Sequence, residues 1–227
     1  MTYAAVIIVL LFIVYAPQFW VQWVLNRHNR VAENNFPGTG GELARHLLDR
    51  YELDEVKVEV TEIGDHYDPE SRAVRLTQDK FEGRTLTAIT VAAHECGHAF
   101  QHAATEPLFM LRARMAKSAI WAQRIGSFLL FAAPFSVLIT KLPVAALFNI
   151  TGAFLIMGFA IVMHLLTLPV EIDASFKKAL PLLESGYLDE PQKPAARSIL
   201  RAAAWTYVAA SLASLLNFWR WLAVLRR

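Results

Sequence analysis

The sequence predicts a mainly α-helical, multi-pass membrane protein that carries a small α+β domain. Of its 227 residues, 55% are hydrophobic and only 19% are charged, whereas an average soluble protein carries about 25% charged residues. Most of the charges lie in two stretches, 27–117 and 171–201. The remaining chain is almost uncharged, and the mean hydropathy of the whole chain is +0.34. This uneven distribution is typical of a membrane protein rather than of one soluble domain.

Charge and cysteine content argue against a nucleic-acid-binding protein and against a fold that depends on disulfides. The formal net charge is +2, and no dense run of lysine and arginine is interleaved with aromatic residues, so we expect no nucleic-acid partner. The single cysteine, Cys96, cannot form an intramolecular disulfide. The fold is therefore not expected to depend on an oxidising compartment.

The first element is a predicted transmembrane helix over residues 1–26. This stretch contains no charged side chain, and a bilayer core needs about 20 largely apolar residues to be crossed. A cleaved signal peptide is not expected. Arg27 and Arg30 follow the apolar run and no basic residue precedes it, which is the opposite of the charge order in signal peptides.

The second unit, residues 27–117, is predicted to be the small α+β domain. Thr39 is a suitable N-cap for a helix. Alternating apolar and polar residues over 56–61 indicate a half-buried strand, and residues 72–77 follow a turn-rich stretch as a second short strand. The two strands are therefore expected to pair as a hairpin. Residues 85–102 favour a helix.

The rest of the chain alternates apolar and polar segments. Residues 118–170 are predicted to form a transmembrane helical hairpin, because two uncharged runs flank Lys141. Residues 171–201 form a second polar segment, and residues 202–227 form a C-terminal helix that either crosses the bilayer or lies at its interface. Lysine and arginine next to membrane segments favour the cytoplasmic side. Both polar stretches are rich in them, so both are predicted to be cytoplasmic.

A chemical motif, His-Glu-x-x-His, occurs inside the predicted helix 85–102. His94 and His98 are four residues apart, so a helix projects both imidazoles from one face, within reach of one metal ion. Glu95 lies beside them and can take a proton from a water that zinc activates. The spacing therefore predicts a zinc site in which His94 and His98 are ligands and Glu95 is the catalytic base.

A catalytic zinc site needs a third protein ligand and an open position. His102 continues the series of histidines, but eight residues at a rise of 1.5 Å place it about 12 Å from His94 along the helix, which is too far. Glu171 and Asp173 are the remaining candidates. Two crossings of the bilayer would return the chain to the side on which the histidines lie.

Five segments of the chain follow a characteristic order. They are HYDP at 66–69, VRL at 74–76, VAAHECGHAFQHA at 91–103, LPVEIDAS at 168–175 and LRAAAWTYVAA at 200–210. In these segments the chain resembles the YugP-type neutral zinc metallopeptidases, a family of bacterial integral membrane proteins. The resemblance implies a multi-pass protein of the bacterial inner membrane with peptidase activity and one zinc ion per chain. It also implies that the α+β domain is a gluzincin-like metalloprotease domain.

The arrangement is also similar to that of HtpX-like membrane metallopeptidases, in which a glutamate ligand follows the motif and a membrane hairpin, with an aspartate four residues later. This similarity implies that Glu171 is the third zinc ligand. Position 175 is serine instead of aspartate, so either Asp173 or Ser175 is expected to orient the zinc-bound histidines. Candidate donors to the oxyanion that forms during hydrolysis are Tyr207, His66 and Arg201.

These observations predict a membrane-bound, zinc-dependent endopeptidase whose partners are the lipid bilayer and a peptide or protein substrate. One alternative is a non-catalytic zinc-binding membrane scaffold, although a purely structural metal gives no reason for Glu95. A second alternative is a small transporter that uses His164, Glu171 and Asp173 as a cation path. Against it, the charges cluster at one predicted membrane face instead of spanning the bilayer.

Overall fold

The computed structural model of the protein describes residues 2–29 and 36–206. Its helices are α1 (Thr2–Asn29), α2 (Gly40–Arg50), α3 (Gln78–Phe81), α4 (Leu86–Ala103), α5 (Pro107–Thr140), α6 (Pro143–Ile172) and α7 (Leu180–Glu184). A π-helical segment, Asp173–Ala179, joins α6 to α7, and residues 193–206 form a further helix, α8. Three short strands, β1 (Lys57–Val60), β2 (His66–Asp68) and β3 (Ala73–Leu76), form one sheet.

Helix α2 begins at the cap that the sequence predicts. The Thr39 hydroxyl accepts a hydrogen bond from the Glu42 amide (3.2 Å), and the Glu42 carboxylate accepts one from the Thr39 amide (2.7 Å). This reciprocal pair satisfies two amides that would otherwise lack a partner. Caps of this kind stabilise a helix by about 1 kcal/mol. The start of the helix that packs against α4 is thereby fixed.

The strands pair differently from the predicted hairpin of 56–61 with 72–77. β1 and β3 are parallel neighbours, and β2 pairs with β3 antiparallel, which gives the order β1–β3–β2. The hairpin instead joins β2 to β3. Asp68 accepts hydrogen bonds from the Glu70 amide (2.9 Å) and the Ser71 hydroxyl (2.8 Å) and so closes the turn. The turn-rich stretch thus contains a strand of its own, and β1 takes the other edge of β3.

Helix α4 lies at the centre of the core. Nearly all of its residues are buried, and it packs against both α2 and the π-helical segment. The Thr85 hydroxyl accepts a hydrogen bond from the Ala88 amide (3.1 Å) and caps its start, which confirms the helix predicted over 85–102. Leu47 of α2 and Leu76 of β3 are fully buried in the same core. The His-Glu-x-x-His motif therefore stands on a closely packed helix.

Residues distant in sequence complete this core. Val24 of α1, Leu183 of α7 and Ile199 of α8 belong to the same buried cluster as the α+β elements. The end of α1 and the chain after α6 therefore pack against the helix that carries the motif. The predicted domain boundaries stay a prediction. Most of the last predicted segment, 202–227, lies outside the described residues.

Helices α5 and α6 form a long helical hairpin. Lys141 lies at the turn in a left-handed conformation (φ 56°), and its amide donates to the Val137 carbonyl (2.8 Å). Leu130 and Ala153 are buried between the two helices. The first helix begins at Pro107, which is earlier than the start of the predicted hairpin. Charged residues that precede the uncharged run therefore belong to the same continuous helix.

The prediction of a multi-pass membrane helical protein is wrong, although the mainly helical character and the small sheet are confirmed. In the part of the chain that the structure describes, no helix combines the length and the apolar character that crossing a membrane requires. An uncharged run does not by itself make a span. Between α5 and α6 only part of the apolar surface is buried, and many of the large apolar side chains of these helices are exposed. Helix α5 in addition carries Arg112, Arg114 and Arg124.

Candidate metal centre

Two histidines of helix α4 lie side by side in the core. The ring centroids of His94 and His98 are 4.8 Å apart, and each residue is only 4% exposed. The spacing of four residues produces this arrangement, because side chains at i and i+4 share one face of a helix. Both rings can therefore bind one small ion between them.

The third side chain of the cluster comes from the end of α6. Glu171 is fully buried, and its Oε2 atom lies 3.2 Å from Nε2 of His98 and 3.3 Å from Nε2 of His94. The candidate ligand atoms of the three residues all lie within 4.8 Å of one another. Asp173, the other candidate from the sequence, is not a member of this group. The three residues form a potential metal site.

The second ring nitrogen of His94 contacts Ser175. The Ser175 hydroxyl lies 3.0 Å from Nδ1 of His94 and 3.3 Å from the carbonyl oxygen of Leu200. A hydroxyl that donates to this carbonyl accepts from the ring, so Nδ1 carries the proton and Nε2 presents its lone pair to the cluster. Asp173 and Ser175 are the two residues expected to orient the histidines. Of these, Ser175 directly contacts a histidine of the cluster, His94.

The second ring nitrogen of His98 contacts a residue that the sequence analysis missed. Nδ1 of His98 lies 2.9 Å from Oε1 of Gln101, and Gln101 is 1% exposed. The only signal in the sequence is the spacing of three residues, which places both side chains on one helix face. The other partners of Gln101, Val170 and Asp173, come from the distant end of α6 and the residue that follows it. Spacing along α4 alone does not reveal them.

Glu171 also pairs with a cation from helix α5. Nη1 of Arg112 lies 2.8 Å from Oε1 of Glu171, although the two groups are not aligned as a hydrogen bond. Burial alone would raise the pKa of Glu171, but positive charge on His98, hydrogen bonds from His94 and His98 when Nε2 of each ring carries a proton, and Arg112 hold that pKa well below its usual value. Glu171 is therefore an anion inside the core. In the sequence, Arg112 is only one charge among many.

The hydrogen bonds leave acceptor atoms facing one another at the centre of the cluster. Oε1 of Gln101 can only accept, so Nδ1 of His98 carries a proton. Nε2 of the neutral His98 ring then presents a lone pair to the Glu171 carboxylate at 3.2 Å. Two acceptors at this distance require positive charge between them, either a metal ion or a second proton on the ring. Tetrahedral zinc bonds of about 2.0–2.1 Å separate ligand atoms by about 3.3 Å, so this donor set fits zinc.

A cleft of about 700 Å³ opens beside the cluster. His94, Glu95 and His98 line it together with β2 and with Arg112 of α5. Glu95 is 6% exposed. Burial raises the pKa of Glu95 to about 7, against the opposing effect of His94. A carboxyl group with a pKa near neutrality can both take up and return a proton under physiological conditions.

The three candidate oxyanion donors fall in different places. His66 lines the cleft, and its Nδ1 atom lies 2.8 Å from the Gly64 carbonyl oxygen, so its Nε2 atom donates only when the ring is protonated. Arg201 is exposed and is not among the residues that line this cleft. Tyr207 lies outside the described residues. Of the two described candidates, His66 alone reaches the cleft.

Comparisons with known proteins identify a family and a relative. A family model described as "Putative neutral zinc metallopeptidase" matches residues 3–226. The "Putative membrane protease YugP" of Bacillus subtilis (strain 168) is 33% identical over 213 residues, which cover 91% of this chain and 90% of that protein. No solved structure matches the chain.

Proposed function

Because this chain belongs to the neutral zinc metallopeptidase family, we propose that it is a zinc-dependent endopeptidase acting on peptide or protein substrates. The family match confirms both the resemblance inferred from the sequence and the prediction of zinc as cofactor. We further propose that His94, His98 and Glu171 hold one zinc ion per chain and that Glu95 is the catalytic base.

One observation carries this proposal: three buried side chains that can bind a metal meet beside a cleft. The buried carboxyl group of Glu95 lines the same cleft. Structural zinc sites are closed by four protein ligands, whereas catalytic sites use three and keep one position open. In the described ranges, three side chains capable of ligation meet at this point. The cleft beside them offers the space that a substrate needs. This combination supports a catalytic site.

The chemistry divides between the metal and the side chains. When bound, zinc supplies Lewis acidity, which makes water more acidic and polarises a carbonyl group. Glu95 accepts the proton of the attacking water, holds it while the C–N bond breaks, and delivers it to the leaving amine. Glu95 lines the cleft beside the ligand group, where both transfers take place. Ser175 holds the ring of His94 through Nδ1, and Arg112 pairs with the Glu171 carboxylate.

The dimensions of the cleft support a short, extended substrate segment. Pockets for small ligands are typically about 300–1,000 Å³, and this cleft of about 700 Å³ has room for a few side chains but not for a folded domain. We expect cleavage within peptides or unfolded stretches of proteins. Reduced, unfolded casein is therefore a suitable test substrate.

Location is a separate part of the proposal. The relative from Bacillus subtilis is named a membrane protease, and we propose that this chain also acts at a bacterial membrane. Only the name of the relative supports this location, because no helix of the described residues is suited to cross a membrane. Fractionation of cells that produce the tagged chain tests it. Recovery in the membrane pellet supports this location, and recovery in the supernatant contradicts it.

The decisive experiment combines metal analysis with cleavage of unfolded casein by the purified full-length protein. We expect one zinc per chain, loss of cleavage after chelation, and recovery when zinc is returned. Glu171→Gln removes a ligand charge with little change in shape and should lose both zinc and cleavage. Glu190→Gln alters an exposed side chain away from the cleft and should retain both. A zinc-loaded wild-type protein that cleaves no unfolded substrate would contradict the proposal.

A further inference from the structure

Gln101 joins the two parts of the chain that supply the candidate ligands. Its Oε1 atom contacts Nδ1 of His98 at 2.9 Å. Its Nε2 atom donates to the Val170 carbonyl and to the Asp173 carboxylate, both at 2.9 Å. These partners flank Glu171 on either side in the sequence. One buried amide therefore connects the helix that bears the histidines to the end of α6, which bears the carboxylate.

The surroundings allow the Gln101 amide only one orientation. The Val170 carbonyl and the Asp173 carboxylate both accept hydrogen bonds and have no proton to give, so the NH₂ group must face them. The oxygen is then forced toward His98. If the amide were flipped, its oxygen would face two acceptors and its NH₂ group would face the N–H of His98. Such unsatisfied groups are costly inside a core.

Asp173 is itself held in place by ionic contacts. Lys178 pairs with the Asp173 carboxylate and lies 2.6 Å from the carboxylate of Glu106. The Lys178 side chain is 18% exposed and that of Asp173 is 19% exposed. The acceptor that fixes one end of Gln101 is thus anchored to the start of α5. Ion pairs and hydrogen bonds thus link Glu106 to His98 through Lys178, Asp173 and Gln101.

We infer that Gln101 is a positioning residue that holds the proton of His98 on Nδ1 and keeps its Nε2 lone pair directed at the metal position. Without Gln101, the proton can move to Nε2 and donate to the Glu171 carboxylate, which lies 3.2 Å away. That hydrogen bond would occupy the atoms that zinc needs. The role assigned to Gln101 rests on the proposed zinc site, but the state of the His98 ring can be tested without metal.

The first measurement is the protonation state of His98 in metal-free protein. Nitrogen NMR of the chain labelled with ¹⁵N-histidine distinguishes the two ring nitrogens, and the spectrum of His98→Gln identifies the His98 signals. Under conditions in which the ring carries a single proton, we expect that proton on Nδ1 of His98 in the wild-type protein and a loss of this preference in Gln101→Met. A wild-type ring without a proton on Nδ1 would overturn the inference.

The second measurement is zinc affinity, by competition with a chromophoric chelator. Loss of a hydrogen-bond partner behind a metal ligand typically weakens metal binding by about 10–100-fold, and we expect this range for Gln101→Met. Gln101→Glu keeps an oxygen for His98 but places another against two acceptors, so it should also bind zinc more weakly. Gln78→Met changes an exposed glutamine outside the site and should bind as the wild type does.

The outcomes separate this inference from the proposed function. A wild-type protein that binds no zinc defeats the proposed function, whatever the His98 ring shows. A wild-type protein that binds zinc and cleaves substrate, together with Gln101→Met of equal zinc affinity, defeats the inference alone. If Gln101→Met does not fold, the wild-type ring and Gln101→Glu decide, because Gln101→Glu keeps an acceptor for His98 and should keep the proton on Nδ1. A merely structural role would lower the thermal stability of Gln101→Met without moving the proton of His98.

Discussion

The Cα atom of Gly97 faces the backbone carbonyl of Ala174, so closely that a β-carbon on Gly97 would lie 2.8 Å from the carbonyl oxygen. Helix α4 and the π-helical segment therefore approach each other at a distance that only glycine permits. Gly97 lies between the two histidines of the cluster, and Ala174 lies three residues after Glu171. This approach brings Glu171 within 3.3 Å of both imidazoles.

The first prediction is that Gly97→Ala separates the histidines from Glu171. The added methyl group has to displace backbone, and such overpacking costs about 1–3 kcal/mol of stability. Zinc affinity should fall as well, because the carboxylate moves away from the imidazoles. Thermal unfolding of the metal-free protein and a zinc titration measure the two effects.

Gly152→Ala on α6 is the matched control. Among the side chains that the structure describes, a β-carbon on Gly152 meets only that of Leu129, at an ordinary 3.6 Å, and alanine is the better helix former. This variant should be at least as stable as the wild type and should bind zinc equally well. Equal behaviour of the two variants would show that the approach of α4 to the π-helical segment is not a constraint on the site.

The second prediction separates metal binding from catalysis. Glu95→Gln keeps the size of the side chain but removes its capacity to accept a proton. Cleavage of unfolded casein should fall by about 10²–10⁴-fold, while one zinc stays bound, because Glu95 is not a member of the ligand group. Parallel zinc analysis and rate measurements, with Glu190→Gln as control, check this. If zinc and cleavage disappear together, Glu95 supports the metal and not the proton transfer.

The part of this site that the sequence predicts is the part encoded locally. The spacing of His94 and His98 predicts one helix face, and Thr39 caps its helix as expected. Glu171 is 73 residues from His98, and residue spacing alone could not choose it over Asp173. The resemblance to known metallopeptidases was needed for that choice, and its role as a ligand stays a prediction.

The part that the sequence does not predict depends on contacts between distant segments. Arg112 is one of several charges in its stretch until α5 brings it to Glu171. Strand β2 lies between β1 and β3 in the chain and pairs antiparallel with one edge of β3, so β1 pairs with the other edge in the parallel direction. The predicted membrane spans fail because the absence of charge in a run does not establish that the helix containing it has the length and apolar character of a span.

The third prediction concerns Arg112, which pairs with the buried carboxylate of Glu171. Arg112→Met leaves that carboxylate with less compensation, and the metal-free protein should lose up to about 3 kcal/mol, the low end for a broken buried pair. Zinc binding should be preserved or tighter, because a nearby positive charge has been removed. The rise in melting temperature caused by saturating zinc should therefore be larger in the variant than in the wild type.

Arg114→Met is the control for Arg112→Met, since Arg114 is exposed on the same helix. It should change neither the stability of the metal-free protein nor the response to zinc. A loss of zinc affinity in Arg112→Met would contradict the electrostatic argument. It would instead indicate that Arg112 holds Glu171 in place for the metal.

The last prediction is a pH dependence of stability that originates at Asp68, the last residue of β2 before the turn to β3. Burial would raise the pKa of Asp68, but hydrogen bonds from Ser71 and the Glu70 amide, together with the charge of Arg75, lower it below the usual value. A carboxyl group with a lowered pKa in the folded state stabilises the protein above its unfolded pKa of about 3.9. This stabilisation is lost as the pH falls through the folded-state value.

Asp68→Asn should therefore be less stable than the wild type at neutral pH, and the difference should shrink as the pH falls below about 4. Urea unfolding of the metal-free proteins across this range measures the difference without interference from zinc. Asp189→Asn, at an exposed position, should differ from the wild type by the same small amount throughout. If the deficit of Asp68→Asn is as large in acid as at neutrality, the neutral hydrogen bonds of the turn stabilise it and the charge of Asp68 does not.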